Sequence, residues 1–459
     1  MTPSDVRTKQ VTVVGGARSG RAVAQLLAEA GAAVFLTEQG PPTDGLEATL
    51  DAAEVDYEFE GHTARALDAD FLVLSPGVPT QSNIVQQAQR SGLAVYSEIE
   101  AASWFCEAPI VAITGTNGKT TTTSLAGHVF REALADDPDR EVIVAGNIGY
   151  PFSDYVLDAG PQDVVVLEVS SFQLDHVDTF RPAVSVILNI TPDHLDRYDN
   201  DFHAYAQAKL NILRRQGPGD VAVYNHDDAL VREEVSAAAE EQDVRALGLS
   251  LKATPAGGGL CNDRVILRID DNDEPLMQRD ELALRGQHNL YNSLAAAVSA
   301  RVMEVESEVI RESLAGFEGV PHRLEEVRTV DDVLYVNDSK ATNVNAVWYA
   351  LESFDRPVVL IAGGRDKGND YTDLKSMVKE GVRAVVAMGE SADTVYEELG
   401  AEAEHRSKAR SMEEALDRAQ GGAQSGDAVL LSPACSSFDM YENYEERGDL
   451  FRRLVETLL

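Results

Sequence analysis

Residues 109–123, PIVAITGTNGKTTTT, constrain the fold of this chain more than any other segment. The apolar run predicts a buried strand, and the glycines after it predict a tight turn into a helix that begins near Lys119 and Thr120. At such a turn, backbone N–H groups can surround phosphate oxygens, a lysine can neutralise them and a threonine hydroxyl can ligand Mg²⁺. The segment therefore predicts an ATP site, although Ile113 replaces the first glycine of the full phosphate-loop pattern. A glycine turn without a ligand is the alternative, and the lysine and threonine directly after Gly118 argue against it.

Short apolar runs alternate with helical stretches along most of the chain, which is the rhythm of parallel sheets with crossover helices. A length of 459 residues exceeds what one hydrophobic core usually supports. We therefore expect an α/β protein of three domains. These are a Rossmann-like domain over residues 1–97, a central phosphate-loop ATPase domain over residues 98–319 and a second Rossmann-like domain over residues 320–459.

The amino-terminal segment VVGGARSGRA contains a second glycine turn. It is similar to a dinucleotide fingerprint, but Ala17 occupies the second glycine position and Glu38 is the only acid near the end of the following strand. The more general prediction is an anion site at a helix N-terminus, near Arg18 and Ser19, that could receive a diphosphate. The turn SPGVP at 75–79 follows a strand, where ligands bind open α/β sheets. A plain structural turn is an equal alternative for each of these two segments.

The charge balance is strongly acidic, with 39 basic and 77 acidic residues and a net charge of −38. Such a surface repels phosphate backbones, so we expect no nucleic-acid partner. Molar salt shortens the Debye length to about 3 Å and would remove the same repulsion toward a nucleotide. We therefore predict a halophile-like acidic surface in a host that accumulates salt, with a merely acidic mesophilic protein as the alternative.

Compartment signals are few. No apolar stretch approaches the roughly 18 residues that a membrane span needs, so no membrane span is expected. The first residues, MTPSDVRTKQ, lack the apolar core of a signal peptide. The cysteines, Cys106, Cys261 and Cys435, lie far apart without paired spacing. These features predict a cytoplasmic protein.

Three side chains downstream of the first glycine turn are candidates for metal binding or catalysis. Glu168 ends an apolar run in LEVSSFQLD, from which a carboxylate could reach a Mg²⁺ held by Thr120. His194 follows another apolar run, in NITPDHLDRY, with an exposed or hydrogen-bonded histidine as the alternative. Lys209 lies inside the predicted helix HAYAQAKLNIL, where the residues alone favour a lysine whose charged end reaches the surface.

Polar clusters also mark the ends of elements nearer the carboxyl terminus. His288, Asn289 and Asn292 lie near the start of a predicted helix, where Asn289 could instead be the N-cap. Further clusters terminate strands in PHRLE, NDSKATN, GGRDKG and SPACSSFD. Convergent cations and hydroxyls of this kind suit an acidic or anionic ligand. The candidates are Lys340, Thr342, Lys367 and Ser437.

Together these motifs resemble the Mur ligase family over essentially the whole chain. GTNGKT and the helix that starts at QHNLYN are similar to segments shared across the family. LEVSSFQLD, PHRLE, NDSKATN and SPACSSFD resemble the branch that adds D-glutamate. The resemblance extends through VVGGARSG, SPGVP, GNIGYPF, NITPDHLDRY, AYAQAKLNI and GGRDKG.

The resemblance implies an ATP-dependent ligase of peptidoglycan biosynthesis, and hence of cell-wall growth and cell division. Its partners would be the small molecules UDP-N-acetylmuramoyl-L-alanine and D-glutamate, and we expect a monomer. ATP would convert the alanyl carboxylate to an acyl phosphate that the amine of D-glutamate attacks, with closure of the third domain. The runner-up is another amide ligase of this superfamily, such as a folylpolyglutamate synthase. A catalytically inactive nucleotide-binding regulator or scaffold and a nicotinamide oxidoreductase are alternatives from other classes.

The resemblance also implies two Mg²⁺ ions and a modified lysine. Lys119 and Thr120 would hold the phosphates and one Mg²⁺ with Glu168 as co-ligand, and His194 would bind the second Mg²⁺. Lys209 matches a family lysine that CO₂ converts to a carbamate, an anion able to ligand Mg²⁺. This implication replaces the surface position that the residues alone favour for Lys209.

The remaining contacts follow from the same resemblance. The further ATP contacts would be Gly115, Thr116, Asn117, Gly118, Thr121, Asn289, Asn292, Arg323 and Asp338. The UDP-linked substrate would contact Arg18, Ser19, Thr37, Ser75, Gly77 and Asn147. D-glutamate would contact Thr342, Lys367, Ser437 and Phe438, with Lys340 lining the cleft.

Overall fold

The computed structural model describes residues 1–270, 272–366 and 368–458. These residues divide into two compact units, Met1–Leu282 with Tyr291–Gly316 and Ala283–Leu290 with Phe317–Leu459. Among the described residues, the first unit contains two sheets and the second contains one, each mainly parallel with helices between its strands. This arrangement confirms the predicted α/β architecture with three parallel-sheet regions.

The first sheet lies at the amino terminus. Its strands are β1 (Gln10–Val14), β2 (Ala33–Thr37), β3 (Asp56–Glu58), β4 (Phe71–Leu74) and β5 (Ala94–Ser97). Its helices are α1 (Pro3–Val6), α2 (Arg18–Glu29), α3 (Leu46–Ala52) and α4 (Asn83–Arg90). The strands are all parallel in the order β3-β2-β1-β4-β5. The central strand β1 is apolar on both faces, with Val11, Val13 and Val14 buried, because crossover helices cover both faces of a parallel sheet.

The second sheet follows in the same unit. Its strands are β6 (Ile110–Thr114), β7 (Val142–Gly146), β8 (Val164–Glu168), β9 (Val184–Ile187), β10 (Val221–Asn225), β11 (Arg245–Ser250), β12 (Gly257–Cys261), β13 (Arg264–Ile269) and β14 (Asn272–Gln278). The strand order is β14-β13-β12-β11-β10-β9-β6-β8-β7. The β-rich stretch around 261–270 forms its antiparallel edge, since β13 runs antiparallel to both neighbours. The other pairs are parallel.

Helices precede, connect and follow the strands of this second region, and the first residues of the helix Gln287–Val302 belong to the second unit. The helices are α5 (Glu98–Ser103), α6 (Lys119–Ala133), α7 (Ser171–Leu174), α8 (Phe202–Leu210), α9 (Ala229–Gln242), α10 (Gln287–Val302) and α11 (Ser307–Gly316). Two short 3₁₀ helices that matter for the site are Phe152–Asp154 and Leu195–Tyr198. Helix α5 begins directly after β5 and leads from the first sheet to the second. It is therefore the covalent link between the two sheets of this unit.

The second unit contains the third sheet. Its strands are β15 (Glu325–Val330), β16 (Val333–Asn337), β17 (Val358–Gly363), β18 (Val382–Met388), β19 (His405–Ala409) and β20 (Ala428–Leu431). Its helices are α12 (Val344–Glu352), α13 (Thr372–Gly381), α14 (Ala392–Glu398), α15 (Met412–Gly422) and α16 (Tyr444–Glu456). The order is β15-β16-β20-β17-β18-β19, parallel apart from the β15–β16 hairpin. The carboxyl ends of β16, β20 and β17 are neighbours, so the polar loops that follow them lie at one edge of the sheet.

Within the described part of the chain, no helix is both long enough and apolar enough to cross a membrane.

Candidate active site

The glycine turn of residues 115–118 lies at the carboxyl end of β6, an interior strand of the second sheet that lies between β9 and β8. Gly118 has φ +86°, a left-handed conformation that side chains disfavour. A Cβ on Gly118 would also lie 2.4 Å from Oδ1 of Asn292. Both the backbone conformation and the space available therefore favour glycine at this position. Helix α6 begins at the next residue, and the positive end of its dipole therefore faces the turn. This geometry is that of a phosphate-binding turn.

Two lysines converge on the backbone of this turn. Lys119 folds back so that its Nζ donates to the carbonyl oxygens of Gly115 and Thr116, at 2.9 and 2.8 Å. Nζ of Lys209 donates to the same Gly115 oxygen, at 2.8 Å. The structure therefore brings together the two lysines that the sequence placed in separate motifs.

Lys209 is buried, with 2% of its surface exposed. The surface position favoured by the residues alone is therefore wrong. Burial lowers the pKa of Lys209 well below its usual value, and the positive charge of Lys119 lowers it further. The carboxylates of Asp193, Glu168 and Asp175 oppose this shift in the pKa of Lys209. The environment therefore favours the neutral form of the amine more strongly than water does.

The segment after β9 holds the glycine turn in place through hydrogen bonds, which we call the clamp. The side chain of Asn189 accepts a hydrogen bond from Asn117 N at 2.8 Å and donates to Asn117 O at 3.1 Å. The hydroxyl of Thr116 donates to Thr191 O at 3.0 Å and lies 3.0 Å from the hydroxyl of Tyr205 on α8. The turn is thus fixed before any ligand binds, which lowers the entropy that binding must overcome.

Glu168 is placed beside the turn by sheet register. It pairs with Ile113 across the parallel β6–β8 ladder, and its side chain is buried. Its Oε1 accepts a hydrogen bond from Nδ2 of Asn147 at 2.7 Å, and its backbone oxygen accepts one from Asn147 N at 2.8 Å. The structure therefore joins a predicted metal ligand to a residue predicted to contact the UDP-linked substrate.

His194 follows β9 in a left-handed conformation, φ 51°, at the start of the 3₁₀ helix Leu195–Tyr198. Its backbone N–H donates to Oδ1 of Asp193 at 2.9 Å, and its ring lies 5.4 Å from the ring of Phe172. Its position in the chain places it after the strand next to β6, on the same sheet edge as the glycine turn.

The donor set suits Mg²⁺ only in part as it stands. Among the described residues, no three His, Cys, Asp or Glu side chains are grouped closely enough to hold a metal ion. Mg²⁺ is usually held by one or two carboxylates together with waters and substrate phosphates, so Glu168, Thr120 and a nucleotide would form a site of ordinary composition. A carbamate on Lys209 would supply a second anionic oxygen ligand. Together with a nucleotide, the residues present therefore have the chemistry that the predicted ion requires.

The helix α10 carries the two predicted asparagines. Asn292 accepts a hydrogen bond from the Thr122 hydroxyl at 3.2 Å and thereby contacts the first turns of α6. Asn289 lies inside the helix, which begins at Gln287, and its Nδ2 donates to Arg285 O at 2.8 Å. The alternative that Asn289 is the N-cap is therefore wrong.

The amino-terminal glycine turn contacts the central region. Nη1 of Arg18 donates to Gly149 O at 3.1 Å, so the predicted diphosphate loop and the loop of Asn147 meet. Ser19 lies in the first turn of α2, and a Cβ on Gly20 would lie 1.8 Å from Gly15 O. The close approach of helix and turn thus depends on Gly20, as in phosphate-binding turns of open sheets.

The other residues predicted to contact the UDP-linked substrate differ in burial and in their hydrogen-bond partners. Thr37 is buried, and its hydroxyl donates to Oε1 of Glu58 at 2.8 Å and lies 2.8 Å from Nδ1 of His62. Glu38, in contrast, turns its carboxylate toward the glycine turn, where Oε2 accepts from Gly16 N at 2.6 Å. Ser75, whose N–H donates to the backbone of β1, and Gly77 lie after β4 at the same sheet edge.

In the second unit, Asp338 follows β16 and is buried. Its Oδ2 accepts from the Ser432 hydroxyl at 2.8 Å and its Oδ1 from Leu324 N at 3.2 Å. Burial raises the pKa of Asp338 to about 7, although the Ser432 hydrogen bond and the charge of Arg323 lower it. Arg323 and Asp338 therefore act on each other electrostatically.

The loop after β16 contains Lys340 and Thr342. Nζ of Lys340 lies 5.0 Å from the centre of the Tyr444 ring, an arrangement typical of a cation–π interaction. Ser437 is buried after β20, whereas Phe438 is 60% exposed. Lys367 lies outside the described residues.

Sequence reasoning missed the groups that hold these loops. Asn189 and Tyr205 fix the glycine turn, and Arg447, which is nearly completely buried, fixes the loops of the second unit. Arg447 Nη2 donates to Ser339 O at 2.8 Å and Nη1 to Cys435 O at 3.2 Å. Asn189 and Tyr205 lie inside motifs described above, whereas Arg447 lies outside them.

Family models match three successive parts of the chain. A MurD N-terminal domain matches residues 10–84, a Mur ligase middle domain matches residues 113–300, and a Mur ligase glutamate ligase domain matches residues 322–435.

Curated relatives match at full length. A UDP-N-acetylmuramoylalanine–D-glutamate ligase from Salinibacter ruber is 75% identical over 460 residues and covers 100% of both chains. A protein of the same name from Chloroherpeton thalassium is 46% identical over 473 residues, again with 100% of both chains covered. The aligned regions therefore span every motif described above.

Solved structures share the fold at low identity. UDP-N-acetylmuramate-alanine ligase MurC from Thermotoga maritima is 19% identical with a TM-score of 0.58, covering 98% of this chain and 100% of that one. MurF ligase from Thermotoga maritima in complex with ADP is 17% identical with a TM-score of 0.58, covering 99% and 97%. A pseudomurein peptide ligase type C from Methanothermus fervidus is 19% identical with a TM-score of 0.59, covering 98% and 99%.

Proposed function

Because this chain belongs to the Mur ligase family, we propose that it joins D-glutamate to UDP-N-acetylmuramoyl-L-alanine with consumption of ATP, a step of peptidoglycan biosynthesis. The observation that carries the proposal is a phosphate-binding turn with two lysines on one carbonyl oxygen, in a chain 75% identical over its whole length to a ligase of that name. The Thermotoga maritima MurF ligase, which shares this fold, was solved in complex with ADP.

The reaction needs an activated carboxyl group, because a carboxylate is a poor acyl donor. The γ-phosphoryl group of ATP passes to an oxygen of the alanyl carboxylate, which gives an acyl phosphate and ADP. The free amine of D-glutamate then attacks the acyl carbon, and the tetrahedral intermediate expels phosphate to leave an amide and one released proton.

Lys119 is the residue that stabilises the transferring phosphoryl group, together with the N-terminus of α6 and the backbone of Gly115–Thr121. It leaves the carbonyl oxygens of Gly115 and Thr116 when phosphate oxygens offer stronger, charged acceptors. Asn289, Asn292, Arg323 and Asp338 are the further proposed ATP contacts.

Mg²⁺, when bound, neutralises charge on the nucleotide phosphates and orients them for transfer. Thr120 and Glu168 would hold one ion, and His194 the second. Lys209 would contribute as a carbamate, for which its buried amine with a lowered pKa is suited. The nitrogen lone pair attacks CO₂, a C–N bond forms, and one proton leaves the nitrogen, so that a neutral side chain becomes an anion.

The two other substrates bind at separate loops. Arg18, Ser19, Thr37, Ser75 and Gly77 on the first sheet and Asn147 on the second form the proposed site for the UDP-linked substrate, supported by the Arg18 hydrogen bond to Gly149. For D-glutamate the proposed contacts are Thr342, Lys367, Ser437 and Phe438, with Lys340 beside them. We also propose that the protein acts as a cytoplasmic monomer.

A phosphate-release assay tests this function. UDP-N-acetylmuramoyl-L-alanine, ATP and Mg²⁺ are held constant while each amino acid is offered in turn. Release that depends strictly on D-glutamate supports the proposal. Release with a different amino acid, or with a folate in place of the muramoyl substrate, selects another amide ligase of this family. Nucleotide binding without any release selects an inactive regulator.

A further inference from the structure

We propose that Glu98, at the start of α5, is a positioning residue that fixes the loop of Asn147 for binding of the UDP-linked substrate. The inference rests on the proposed function and adds a residue that no sequence motif assigned. Glu98 acts through residues 147–154, which we call the bridging segment. This segment runs from the end of β7 through the 3₁₀ helix Phe152–Asp154.

Glu98 holds the far end of the bridging segment. Its side chain is 0% exposed. One carboxylate oxygen, Oε1, accepts hydrogen bonds from Ser153 N at 2.8 Å and from the Ser153 hydroxyl at 2.6 Å. Hydrogen bonds to a charged acceptor away from water are among the stronger polar contacts in proteins. Ser153 is therefore tied to the link between the two sheets.

The near end of the bridging segment is tied to the proposed reaction centre. Asn147 donates to Glu168 from both its backbone and its side chain, at 2.8 and 2.7 Å. Between the two ends, Gly149 accepts the hydrogen bond from Arg18 of the amino-terminal glycine turn. The segment is thus fixed by Glu168, Arg18 and Glu98 in order along the chain. Loss of the Glu98 contact would release one end of the bridging segment and so loosen the contacts to Glu168 and Arg18.

A second glutamate on the same helix shows what a purely structural anchor looks like. Glu100 is also buried, and its two oxygens accept hydrogen bonds from Trp104 Nε1 and from the backbone N–H groups of Asp178, Thr179 and Phe180. It anchors α5 to a loop outside the bridging segment. Glu98, in contrast, accepts from Ser153, and the backbone of Phe152 also acts on it as a hydrogen-bond donor that lowers its pKa. Both groups belong to the bridging segment, so Glu98 and Glu100 anchor different parts of the fold.

The charges around Glu98 give the contact a pH dependence. Burial and, to a smaller extent, the negative charge of Asp154 raise the pKa of Glu98 to about 7, against the hydrogen bonds from Ser153 and from the backbone of Phe152. Arg21 on α2 is the cation that acts on Asp154. Protonation of Glu98 below pH 7 weakens it as an acceptor for Ser153, so affinity for the UDP-linked substrate should fall as pH falls through that value.

The test compares Glu98→Ala with Glu100→Ala in the full chain. Hydrogen exchange in the absence of ligand should speed up in the bridging segment of Glu98→Ala and stay unchanged there in Glu100→Ala. The KM for UDP-N-acetylmuramoyl-L-alanine should rise roughly tenfold or more in Glu98→Ala, the loss expected for one charged hydrogen-bonded contact, with kcat and the KM for ATP within about threefold. Glu100→Ala should lower thermal stability without that rise in KM.

Two further variants cover the other outcomes. If Glu98→Ala does not fold, Ser153→Ala removes one of the two hydrogen bonds and should raise the same KM by about fivefold. Glu98→Gln should lose the pH dependence of that KM between about pH 6 and 8. Unchanged exchange in the bridging segment, or an equal rise in KM for the Glu98 and Glu100 variants, overturns the inference. Wild-type protein without turnover overturns the proposed function instead, and the exchange result still decides whether Glu98 holds the segment.

Discussion

Lys119 and Lys209 donate to the same acceptor, the carbonyl oxygen of Gly115, at 2.9 and 2.8 Å. Two ammonium groups on one oxygen repel each other, and the positive charge of Lys119 adds to burial in lowering the pKa of Lys209. Lys209 therefore takes the neutral form, which CO₂ can modify, more readily than a lysine in water does.

The first prediction concerns Lys119. Lys119→Met keeps the side-chain length and removes the charge, so it should lower kcat for phosphate release by roughly 10²–10³, as expected for one preorganised group in the transition state. Circular dichroism and the melting temperature should stay close to those of the wild type. Near-normal turnover would contradict the ATP site at this turn.

The second prediction concerns Lys209. Lys209→Ala should inactivate the protein by about 10² or more, because it removes the proposed anionic ligand. Added acetate or formate should restore part of the activity by occupying the vacated space as a carboxylate. Lys209→Arg is the matched control, since arginine forms no carbamate and leaves no room for the acid. If acetate or formate restores no activity to Lys209→Ala or to a smaller variant, that result argues against the carbamate.

The third prediction concerns the clamp on the glycine turn. Asn189→Ala removes two hydrogen bonds to the backbone of Asn117 and should raise the KM for ATP by about tenfold. Asn189→Asp keeps an acceptor for Asn117 N and should have the smaller effect. Calorimetric titration with a non-hydrolysable ATP analogue measures the same loss without turnover. Equal affinities for all three proteins would show that the clamp does not matter for binding.

The fourth prediction uses the raised pKa of Asp338. The folded state keeps a proton on Asp338 up to about pH 7, whereas its usual pKa is 3.8. Between these values the folded state binds more protons than the unfolded state, so this group's contribution to stability falls as pH rises, by up to about 1.4 kcal/mol per pH unit. Its stabilisation is complete below pH 4 and lost above pH 7. Asp338→Asn should flatten this part of the pH dependence.

Tryptophan fluorescence makes the Asp338 experiment specific. The chain has two tryptophans, Trp104 in the first unit and Trp348 in the second. In a Trp104→Phe background, Trp348 reports unfolding of the unit that contains Asp338. Glu98→Gln, in the first unit, should leave the Trp348 transition unchanged although Glu98 has its pKa in the same range. A Trp348 transition with the same slope in wild type and Asp338→Asn would refute the prediction.

The fifth prediction follows from the net charge of −38. Raising KCl from about 0.1 to about 1 M shortens the Debye length from about 10 to about 3 Å and weakens the repulsion between exposed carboxylates. Thermal stability and the apparent affinity for ATP should both increase over this range. Sorbitol at matched osmolality should not reproduce the effect. A protein that is most stable and most active at low salt would contradict a halophile-like surface.

The strand, turn and helix of residues 109–123 could be predicted because their signals are local. An apolar run, two glycines and a helix start determine backbone conformation within a few residues. The neighbouring strands could be predicted as well, because a strand whose two faces are both buried in a parallel sheet has a continuous apolar run in its sequence. The position of Glu168 at the end of such a strand was predicted for the same reason.

Lys209, Asn189 and Arg447 show where local signals fail. The periodicity around Lys209 favours a surface lysine, and nothing near Asn189 or Arg447 shows which loop each one holds. Their partners are distant in the chain. The hydrogen bond from Lys209 to Gly115 spans 94 residues, and the one from Arg447 to Ser339 spans 108. No short-range pattern encodes a contact of that separation.

The sequence by itself determined the elements, the order of the three parallel-sheet regions and the residue types of the candidate site, because propensity, glycine conformation and apolar patterning act over a few residues. Only the tertiary structure decided that Lys209 is buried beside Lys119, and that Glu98 holds the loop of Asn147. Burial and charge proximity set pKa values and fix loops, and both depend on which distant segments the folded chain brings together.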